Sequence, residues 1–360
     1  MKKRIITLVL LGAMLLSGGI FMVTGHKELS LSERRTLAQW PKLTWQNISS
    51  GKFMSSAEDA AADQFPMRDT FRAMKAYYLR YGQHQLDNNG IYVTNGNAAK
   101  LEYPLQNTSV QHAVALMDKV YKRYLLGKPV KCYYSVVPDK NYYLAVQLGY
   151  PSMDYDALLE TLDAGLRMTY IELFDQLDEN SYYNSDPHWR QEALIPVANT
   201  LTQAMGVPSP EITQTLDAGE FSGAYAGQSA LPLAEDRLRY LEIASQDSCS
   251  VLDVANNVQI PMYNLDKIGS RDPYDFFLNG ASPIEIITNP NAKSNKELVI
   301  FRDSFGSSIT PLLADSYAKI TLVDLRYTYS DVLSNYITFT NQDVLFLYST
   351  TILNNSQTLH

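Results

Sequence analysis

Hydrophobic residues along this chain follow two periods, one typical of strands and one typical of helices. Residues 129–138 are rich in valine and tyrosine, as is typical of a buried strand. Ala193, Val197, Leu201 and Met205 recur at intervals of four, which places them on one face of a helix. The same reasoning predicts strands at 168–174, 297–301, 320–325 and 344–348, and helices at 57–81, 109–125, 155–167, 190–205 and 307–315. Alternating strands and helices favour an α/β fold with helices on both faces of a mostly parallel sheet.

The N-terminus has the pattern of an export signal or membrane anchor. Lys2, Lys3 and Arg4 precede an uncharged run at 5–25, which is long enough to cross a hydrocarbon core of about 30 Å as a helix. A secretory signal has an apolar region of roughly 7–15 residues, so an uncleaved anchor is favoured over cleavage near the small residues 17–19. Basic flanks stay cytoplasmic. We therefore expect a single-pass cell-membrane protein with an extracytoplasmic body, or a secreted protein if the signal is cleaved.

The distribution of polar residues divides the chain into three segments. Residues 1–25 form the signal anchor or signal peptide, and residues 26–85 form a juxtamembrane and N-terminal helical segment. Residues 86–360 form the main domain. Within it, the stretch at about 206–290 is rich in Gly, Pro, Asn, Ser and Asp, which predicts a loop-rich insertion with short strands, such as 250–261, of the kind that covers a cleft.

Composition argues against several classes of function. The formal net charge is −8, and no basic run follows the N-terminal cluster, so the chain lacks the positive face that nucleic acid requires. Neither a Walker loop nor a G-x-G-x-x-G motif occurs in the sequence, so no nucleotide cofactor is expected. Of the five histidines only one lies in a polar cluster, so no metal site is expected either.

Tyrosine and cysteine leave two alternatives open. The 25 tyrosines serve either as core and strand residues or as contacts for sugars, because the ring stacks while the hydroxyl forms hydrogen bonds. Cys132 and Cys249 either form the disulfide of an exported protein or stay separate core thiols.

One histidine lies among polar residues suited to catalysis. His188 follows Asp186 and Pro187 within a polar cluster at 185–190. Histidine is the commonest general base near neutral pH, and Asp186 is placed to orient its imidazole as the acid of a triad. A loop without chemistry is the alternative for so short a motif.

Ser304 is the candidate nucleophile. It follows the strand predicted at 297–301 and precedes the helix predicted at 307–315. Sites form at the carboxyl ends of parallel strands, and the first-turn N–H groups of a helix can stabilise an oxyanion there. Helix capping by Ser304 or Ser307 is the alternative.

Five motifs, in this order, resemble the DHHW family of bacterial extracytoplasmic proteins, which is similar to the SGNH-hydrolase-like alginate O-acetyltransferases. They are Asp63-Gln64-Phe65-Pro66-Met67-Arg68, Asp186-Pro187-His188-Trp189, Tyr274-Asp275-Phe276-Phe277-Leu278-Asn279-Gly280, Asp303-Ser304-Phe305 and Asp324-Leu325-Arg326-Tyr327. The resemblance runs from about Leu31 to the C-terminus. It implies an SGNH-hydrolase-like α/β/α sandwich with a mostly parallel sheet, beside the N-terminal anchor helix and the insertion.

The resemblance also implies roles for individual residues. Asp186, His188 and Ser304 would form the triad, with the acid and base preceding the serine in sequence. Such relatives move acetyl groups onto exopolysaccharides, taking them from a membrane O-acyltransferase partner. Two positions depart from the pattern. Pro187 replaces the first histidine of the family motif, and Arg302 stands where the acetyltransferases tend to have glycine.

Further residues are candidates for contacts with the oxyanion or the substrate. The backbone of Asn279 or Gly280 would complete an oxyanion hole beside the Ser304 N–H. Arg302 would either alter the serine turn or clamp an anionic sugar. Lys140 is interpreted as a solvated strand end rather than a cleft residue.

Two functions of different classes follow. The first is an extracytoplasmic serine acyltransferase or esterase acting on O-acetyl groups of a cell-surface polymer or exopolysaccharide. The alternative is a catalytically inactive surface module that binds polysaccharide or a membrane O-acyltransferase. Arg302 favours the alternative, whereas retention of all three triad residue types argues against it. The expected partners are a carbohydrate polymer, a membrane-bound O-acyltransferase and, through the N-terminal helix, the membrane.

Overall fold

The computed structural model describes residues 5–9, 11–12 and 27–360. Residues 5–9 and 11–12 are helical, and the rest of the predicted anchor lies outside the described residues. Within these described ranges, no helix combines the length and apolarity needed to span a bilayer. The anchor therefore stays a prediction.

The chain divides into two compact units. The first comprises residues up to Gly90 together with Ala226–Pro232, and the second comprises Ile91–Tyr225 together with Leu233–His360. The first unit contains β1 (Leu29–Ser30), β2 (Arg35–Thr36), α1 (Trp45–Ser49), α2 (Lys52–Asp63) and α3 (Arg68–Tyr77). The helical pattern at 57–81 is thus divided between α2 and α3, as the sequence itself indicates, because Pro66 disfavours helical backbone at Phe65.

The second unit begins with a hairpin of β3 (Ile91–Thr94) and β4 (Asn97–Lys100). Asn95 and Gly96 connect the strands, and both have positive φ, as is typical of an Asn-Gly hairpin turn. The later strands are β5 (Lys131–Val137), β6 (Thr169–Tyr170), β7 (Ile212–Phe221), β8 (Asp236–Ile243), β9 (Ser250–Asp253), β10 (Val258–Ile260), β11 (Ile284–Thr288), β12 (Glu297–Arg302), β13 (Lys319–Val323) and β14 (Asp343–Ser349). The later helices are α4 (Asn107–Val120), α5 (Lys140–Leu148), α6 (Tyr155–Gly165), α7 (Ile195–Met205), α9 (Gly306–Leu313) and α10 (Thr350–Leu353). Helix α8 (Ala224–Ser229) begins at the end of the Ile91–Tyr225 stretch and continues into Ala226–Pro232.

Eight strands form the main sheet, in the order β10-β9-β11-β13-β12-β14-β5-β6. The five strands from β13 to β6 pair in parallel, and β11, β9 and β10 extend the sheet with antiparallel pairings. The strands predicted at 129–138, 297–301, 320–325 and 344–348 are confirmed, while 168–174 shortens to β6. Strands β9 and β10 fall within the stretch 250–261, where short strands are predicted, and together with β11 they extend the main sheet.

The sheet is buried on both faces. Alternate residues of β12 point to opposite sides: Leu298 and Ile300 join one apolar cluster, and Val299 and Phe301 join the other. Residues of α7 and α9 pack in the first cluster, and residues of α4 and α6 pack in the second. This is the expected α/β/α arrangement, and it brings the carboxyl ends of β5, β12, β13 and β14 to one edge.

Neither cysteine forms a disulfide. Cys132 in β5 and Cys249 before β9 are free, half-buried thiols, and burial raises their pKa values to about 11 and about 12. Of the two alternatives left by the sequence, the structure supports separate core thiols.

Candidate active site

Ser304 lies in the tight turn between β12 and α9 and is partly exposed. The carboxylate of its buried neighbour Asp303 holds this turn. Asp303 Oδ1 accepts a hydrogen bond from the Phe305 N–H at 2.9 Å, and Oδ2 accepts one from the Ser349 N–H at the end of β14 at 2.8 Å. The turn is therefore tied to the adjacent strand, which fixes Ser304 at the carboxyl edge of the sheet.

Asp186 and His188 lie in a short loop closed by an antiparallel bridge between Tyr182 and Trp189. The Asp186 carboxylate is completely buried. Its Oδ1 accepts hydrogen bonds from the His188 N–H at 3.1 Å and from Nδ1 of the imidazole at 2.6 Å. Its Oδ2 accepts one from the Ala224 N–H at 2.9 Å. Both carboxylate oxygens are thus engaged, which fixes the orientation of the imidazole.

His188 connects this loop to Ser304. Its Nε2 lies 2.8 Å from the Ser304 hydroxyl oxygen, and its side chain is 12% exposed. When the proton of the neutral imidazole is on Nδ1, that N–H donates a hydrogen bond to Asp186, and Nε2 is left to accept one from the serine hydroxyl. The three residues singled out from the sequence therefore form one continuous hydrogen-bonded chain.

Aromatic residues support the imidazole. The ring of Tyr274 stacks on His188 with 3.8 Å between centroids and 8° between planes. The Tyr274 hydroxyl donates a hydrogen bond to Ser308 Oγ at 2.8 Å, and Trp189 Nε1 donates one to the same oxygen at 2.7 Å. Ser308 belongs to α9, so it links the base loop and the stacking tyrosine to the helix that follows the nucleophile. The sequence alone indicates no role for Trp189 or Ser308, and it presents Tyr274 only as part of a motif.

The backbone N–H groups that follow Ser304 already donate hydrogen bonds within the turn. The Phe305 N–H donates to the Asp303 carboxylate, and the Gly306 N–H donates to the Asp303 carbonyl at 3.1 Å. The Ser304 N–H has no hydrogen-bond partner within the described part of the chain. It is therefore the amide of this turn that is available to a developing oxyanion.

The predicted oxyanion role of the Gly280 amide is wrong. The Gly280 N–H donates to the Phe277 carbonyl at 3.2 Å, and a Cβ at this position would lie 2.4 Å from Asp275 Oδ1. Glycine is therefore required here for the turn. The side-chain oxygen of Asn279 accepts from Asn264 Nδ2 at 2.7 Å, and the oxyanion role of the Asn279 backbone stays a prediction.

The expectation that Arg302 clamps a sugar is also wrong. Its side chain is 1% exposed, with Nη2 2.8 Å from Glu285 and Nη1 3.5 Å from Asp324. Burial raises the pKa of Glu285 to about 7, although Arg302 opposes the shift. Arg302 thus joins β12 to β11 and to the end of β13. The turn accommodates it because Gly306 has no side chain, since a Cβ there would lie 2.6 Å from Arg302 Cβ.

Lys140 is not a solvated strand end. It is the first residue of α5, directly after β5, and it is 2% exposed. Its amino group donates to the backbone of the loop that carries Asp186. Sequence reasoning missed this contact because a lysine after a strand is usually exposed.

Solved structures with the same fold exist. The chain has the fold of a DHHW family protein. That protein, from Eubacterium siraeum, aligns with a TM-score of 0.59 and 19% identity, over 76% of this chain and 95% of its own. PatB1 of Bacillus cereus aligns with a TM-score of 0.55 and 19% identity, over 73% of this chain and 96% of its own, and its structure with a sulfonyl adduct gives 0.56. No family model and no curated protein matches the sequence.

Proposed function

We propose that this chain is a serine esterase or acyltransferase that acts on O-acetyl groups of a cell-surface carbohydrate polymer. The observation that carries the proposal is the hydrogen-bonded chain from Asp186 through His188 to Ser304. The distances of 2.6 and 2.8 Å lie within the range in which a base activates a serine hydroxyl.

In the first half-reaction, Ser304 Oγ attacks the carbonyl carbon of the acyl donor while His188 Nε2 takes the hydroxyl proton. Asp186 holds the imidazole and stabilises the imidazolium that forms. The Ser304 N–H faces the negative charge that develops on the carbonyl oxygen. The bond to the leaving group then breaks, and the leaving oxygen takes the proton from His188. The product is an acyl ester on Ser304.

In the second half-reaction, a hydroxyl attacks the acyl-serine and gives its proton to His188. A sugar hydroxyl as acceptor completes transfer, and water completes hydrolysis. Three exposed tyrosines support a sugar acceptor: Tyr327, Tyr329 and Tyr336. They follow β13, which is parallel to β12, so their segment starts at the edge of the sheet that carries Ser304. Tyrosine rings suit sugar contacts.

The N-terminal sequence supports an extracytoplasmic location for this chemistry. The uncharged run at 5–25 with its basic flank would hold the body outside the cytoplasm. There a membrane-bound O-acyltransferase is the proposed source of the acyl group.

The inactive-module alternative loses its main support. Arg302 favoured that alternative as a departure at the serine turn, but its side chain is buried in a pairing with Glu285 and Asp324. It leaves the bond between His188 and Ser304 intact.

The experiment is mass spectrometry of the full chain in detergent after exposure to p-nitrophenyl acetate or to phenylmethanesulfonyl fluoride. Acyl and sulfonyl adducts are expected on Ser304, and Ser304→Ala should carry neither. Ser307→Ala is the matched control, because Ser307 is close by but makes no side-chain hydrogen bond among the described residues. Adducts that persist in Ser304→Ala would remove Ser304 as the nucleophile. Adding neutral and anionic oligosaccharides then separates transfer from hydrolysis.

A further inference from the structure

Lys140 binds backbone carbonyl groups of the loop that carries Asp186 and His188. Its Nζ donates to the Tyr183 carbonyl at 2.7 Å, to the Asn184 carbonyl at 3.2 Å and to the Asp186 carbonyl at 3.5 Å. The segment 183–186 leads directly into the triad. Three carbonyl acceptors match the three N–H donors of a protonated ammonium, whereas a neutral amine has only two.

Asp236 accepts hydrogen bonds from the N–H and O–H groups of the same segment. It is the first residue of β8 and is buried. Its Oδ1 accepts from the Asn184 N–H at 2.8 Å and from Asn184 Nδ2 at 3.0 Å. Its Oδ2 accepts from the Ser185 N–H at 2.7 Å and from the Ser185 hydroxyl at 2.6 Å. A buried cation therefore binds the carbonyls, and a buried anion binds the amides, of one short stretch of backbone.

Close packing leaves this stretch little room to move. The Gly223 N–H donates to the Ser185 hydroxyl at 2.9 Å. A Cβ on Gly223 would lie 2.2 Å from the Ser185 carbonyl oxygen and 2.4 Å from Asp186 Cβ. The ring of Tyr225 lies 5.7 Å from Lys140 Nζ, at a distance typical of a cation–π contact.

We propose that Lys140, in its ammonium form, is a positioning residue that works with Asp236 to hold the Asp186–His188 pair against Ser304. The inference rests on the proposed function. Lys140 touches neither the nucleophile nor the base, so it acts through the backbone carbonyl of Asp186. A small displacement of a catalytic group lowers the rate strongly, so two buried charges on a four-residue stretch have a mechanistic use.

This arrangement gives activity a particular pH dependence. Burial lowers the pKa of Lys140 to about 7, although Asp236 and Asp186 partly offset the shift. These two carboxylates and Tyr225 are the titratable groups that face the ammonium, and burial raises the pKa of Tyr225, so the phenol stays neutral near pH 7. Raising the pH through about 7 removes the third N–H donor, and the rate should fall.

Stability should change in the opposite direction. The folded-state pKa of Lys140 lies below its ordinary value of 10.5, so between about pH 7 and 10.5 the unfolded chain binds more protons at this group. Its contribution to the stability of the fold therefore rises with pH in this window. This trend follows from the lowered pKa alone, so a fall in rate with rising pH is not explained by a loss of stability at this group.

The test compares Lys140→Met and Lys140→Arg with the wild-type full chain in detergent. Acylation of Ser304 by p-nitrophenyl acetate is followed from pH 5 to 10. Lys140→Met should lower kcat by about 10- to 100-fold with KM nearly unchanged. Lys140→Arg, which stays charged, should have a higher kcat than Lys140→Met. Its rate should not fall as pH rises through about 7, as it does in the wild type. Lys131→Met, at an exposed lysine of β5, is the matched control and should behave as wild type.

A proton resonance gives a second readout that needs no turnover. The hydrogen bond between His188 Nδ1 and Asp186 should give a downfield signal that shifts or broadens in Lys140→Met and, in the wild type, as pH rises through about 7. A folded Lys140→Met with the wild-type kcat, alkaline limb and signal would overturn the inference. If Lys140→Met does not fold, an unchanged wild-type signal from pH 6 to 9 would overturn it. A wild type without acyl-Ser304 contradicts the proposed function instead, and the signal still tests the positioning.

Discussion

Tyr274 lies flat against the His188 ring, with 3.8 Å between centroids and only 8° between planes. The imidazole is therefore held from one face by an aromatic ring and along its edge by Asp186. We predict that Tyr274→Leu lowers kcat for acylation about 10-fold or more, because the imidazole gains freedom to tilt away from Ser304. Tyr274→Phe is the control, since it keeps the ring, and its kcat should stay close to wild type. Equal rates for the leucine and phenylalanine variants would show that stacking has no role.

Ser308 accepts hydrogen bonds from both Tyr274 and Trp189. We predict that Ser308→Ala lowers the free energy of unfolding by about 1–3 kcal/mol, because it deprives the buried Tyr274 hydroxyl of its acceptor. Trp189 Nε1 keeps a second acceptor, the Phe305 carbonyl at 3.2 Å. Urea denaturation followed by fluorescence measures this loss. Ser307→Ala removes a neighbouring buried hydroxyl without such bonds and should cost less. A Ser308→Ala variant as stable as Ser307→Ala would show that the Tyr274 hydroxyl finds another acceptor.

Asp186 accepts from the imidazole with one oxygen and from the Ala224 N–H with the other. An amide at this position has only one accepting atom, so Asp186→Asn should leave the imidazole tautomer unfixed. We predict a folded protein whose acylation rate is lower by roughly 10³- to 10⁴-fold, as is typical when a triad loses its acid. Stopped-flow release of nitrophenol gives the rate, and circular dichroism confirms the fold. Asp217→Asn changes an exposed carboxylate paired with Arg237 and serves as control. An unchanged rate in Asp186→Asn would remove the carboxylate from the mechanism.

The buried pair of Arg302 and Glu285 makes stability depend on pH in a defined direction. Arg302→Met leaves the Glu285 carboxyl without its cation, and we predict a loss of about 3–5 kcal/mol at pH 8. The folded-state pKa of Glu285 already lies above its ordinary value of 4.5, and it rises further without Arg302. The stability that the neutral Glu285 carboxyl gives to the fold is thus fully present below about pH 4.5, and it is lost as pH rises through the folded-state pKa. The loss should therefore be smaller at pH 5 than at pH 8.

Urea denaturation at both pH values tests this prediction. Lys319→Met is the control, because Lys319 and Glu297 are 4.0 Å apart and each is about two-fifths exposed. Removing that exposed pair should cost no more than about 1 kcal/mol. Equal losses for Arg302→Met at pH 5 and pH 8 would contradict the proposed state of Glu285.

Local patterns in the sequence were enough to predict the central sheet. Strands β5, β12 and β14 are continuous apolar runs, as expected of strands buried on both faces. The sheet was predictable because the deciding signal lies within a few residues. For the site, short polar motifs and the rule that sites form at the carboxyl ends of parallel strands only single out His188 and Ser304 as candidates. Their joining in one triad is what the resemblance to the DHHW family implies.

Other features depend on distant neighbours and were not predictable from one sequence. Arg302 follows an ordinary apolar strand, and its burial depends on carboxylates from β11 and from the end of β13. Lys140 is buried because the loop before Asp186 offers it three carbonyl oxygens. Strands β9 and β10 are short and partly polar, so that only their pairing beside β11 identifies them as part of the sheet.

The two-residue separation between Asp186 and His188 affects how sequence change can act on this site. The acid and the base share one short loop, so an insertion or deletion between them would disrupt both at once. The chain between Trp189 and Arg302, by contrast, supports the site only at separate points, among them Ala224, Asp236 and Tyr274. A change of length away from these points leaves the acid and the base in place. Engineered loop exchanges are therefore best confined to turns that none of these residues adjoins, such as the turn between β9 and β10.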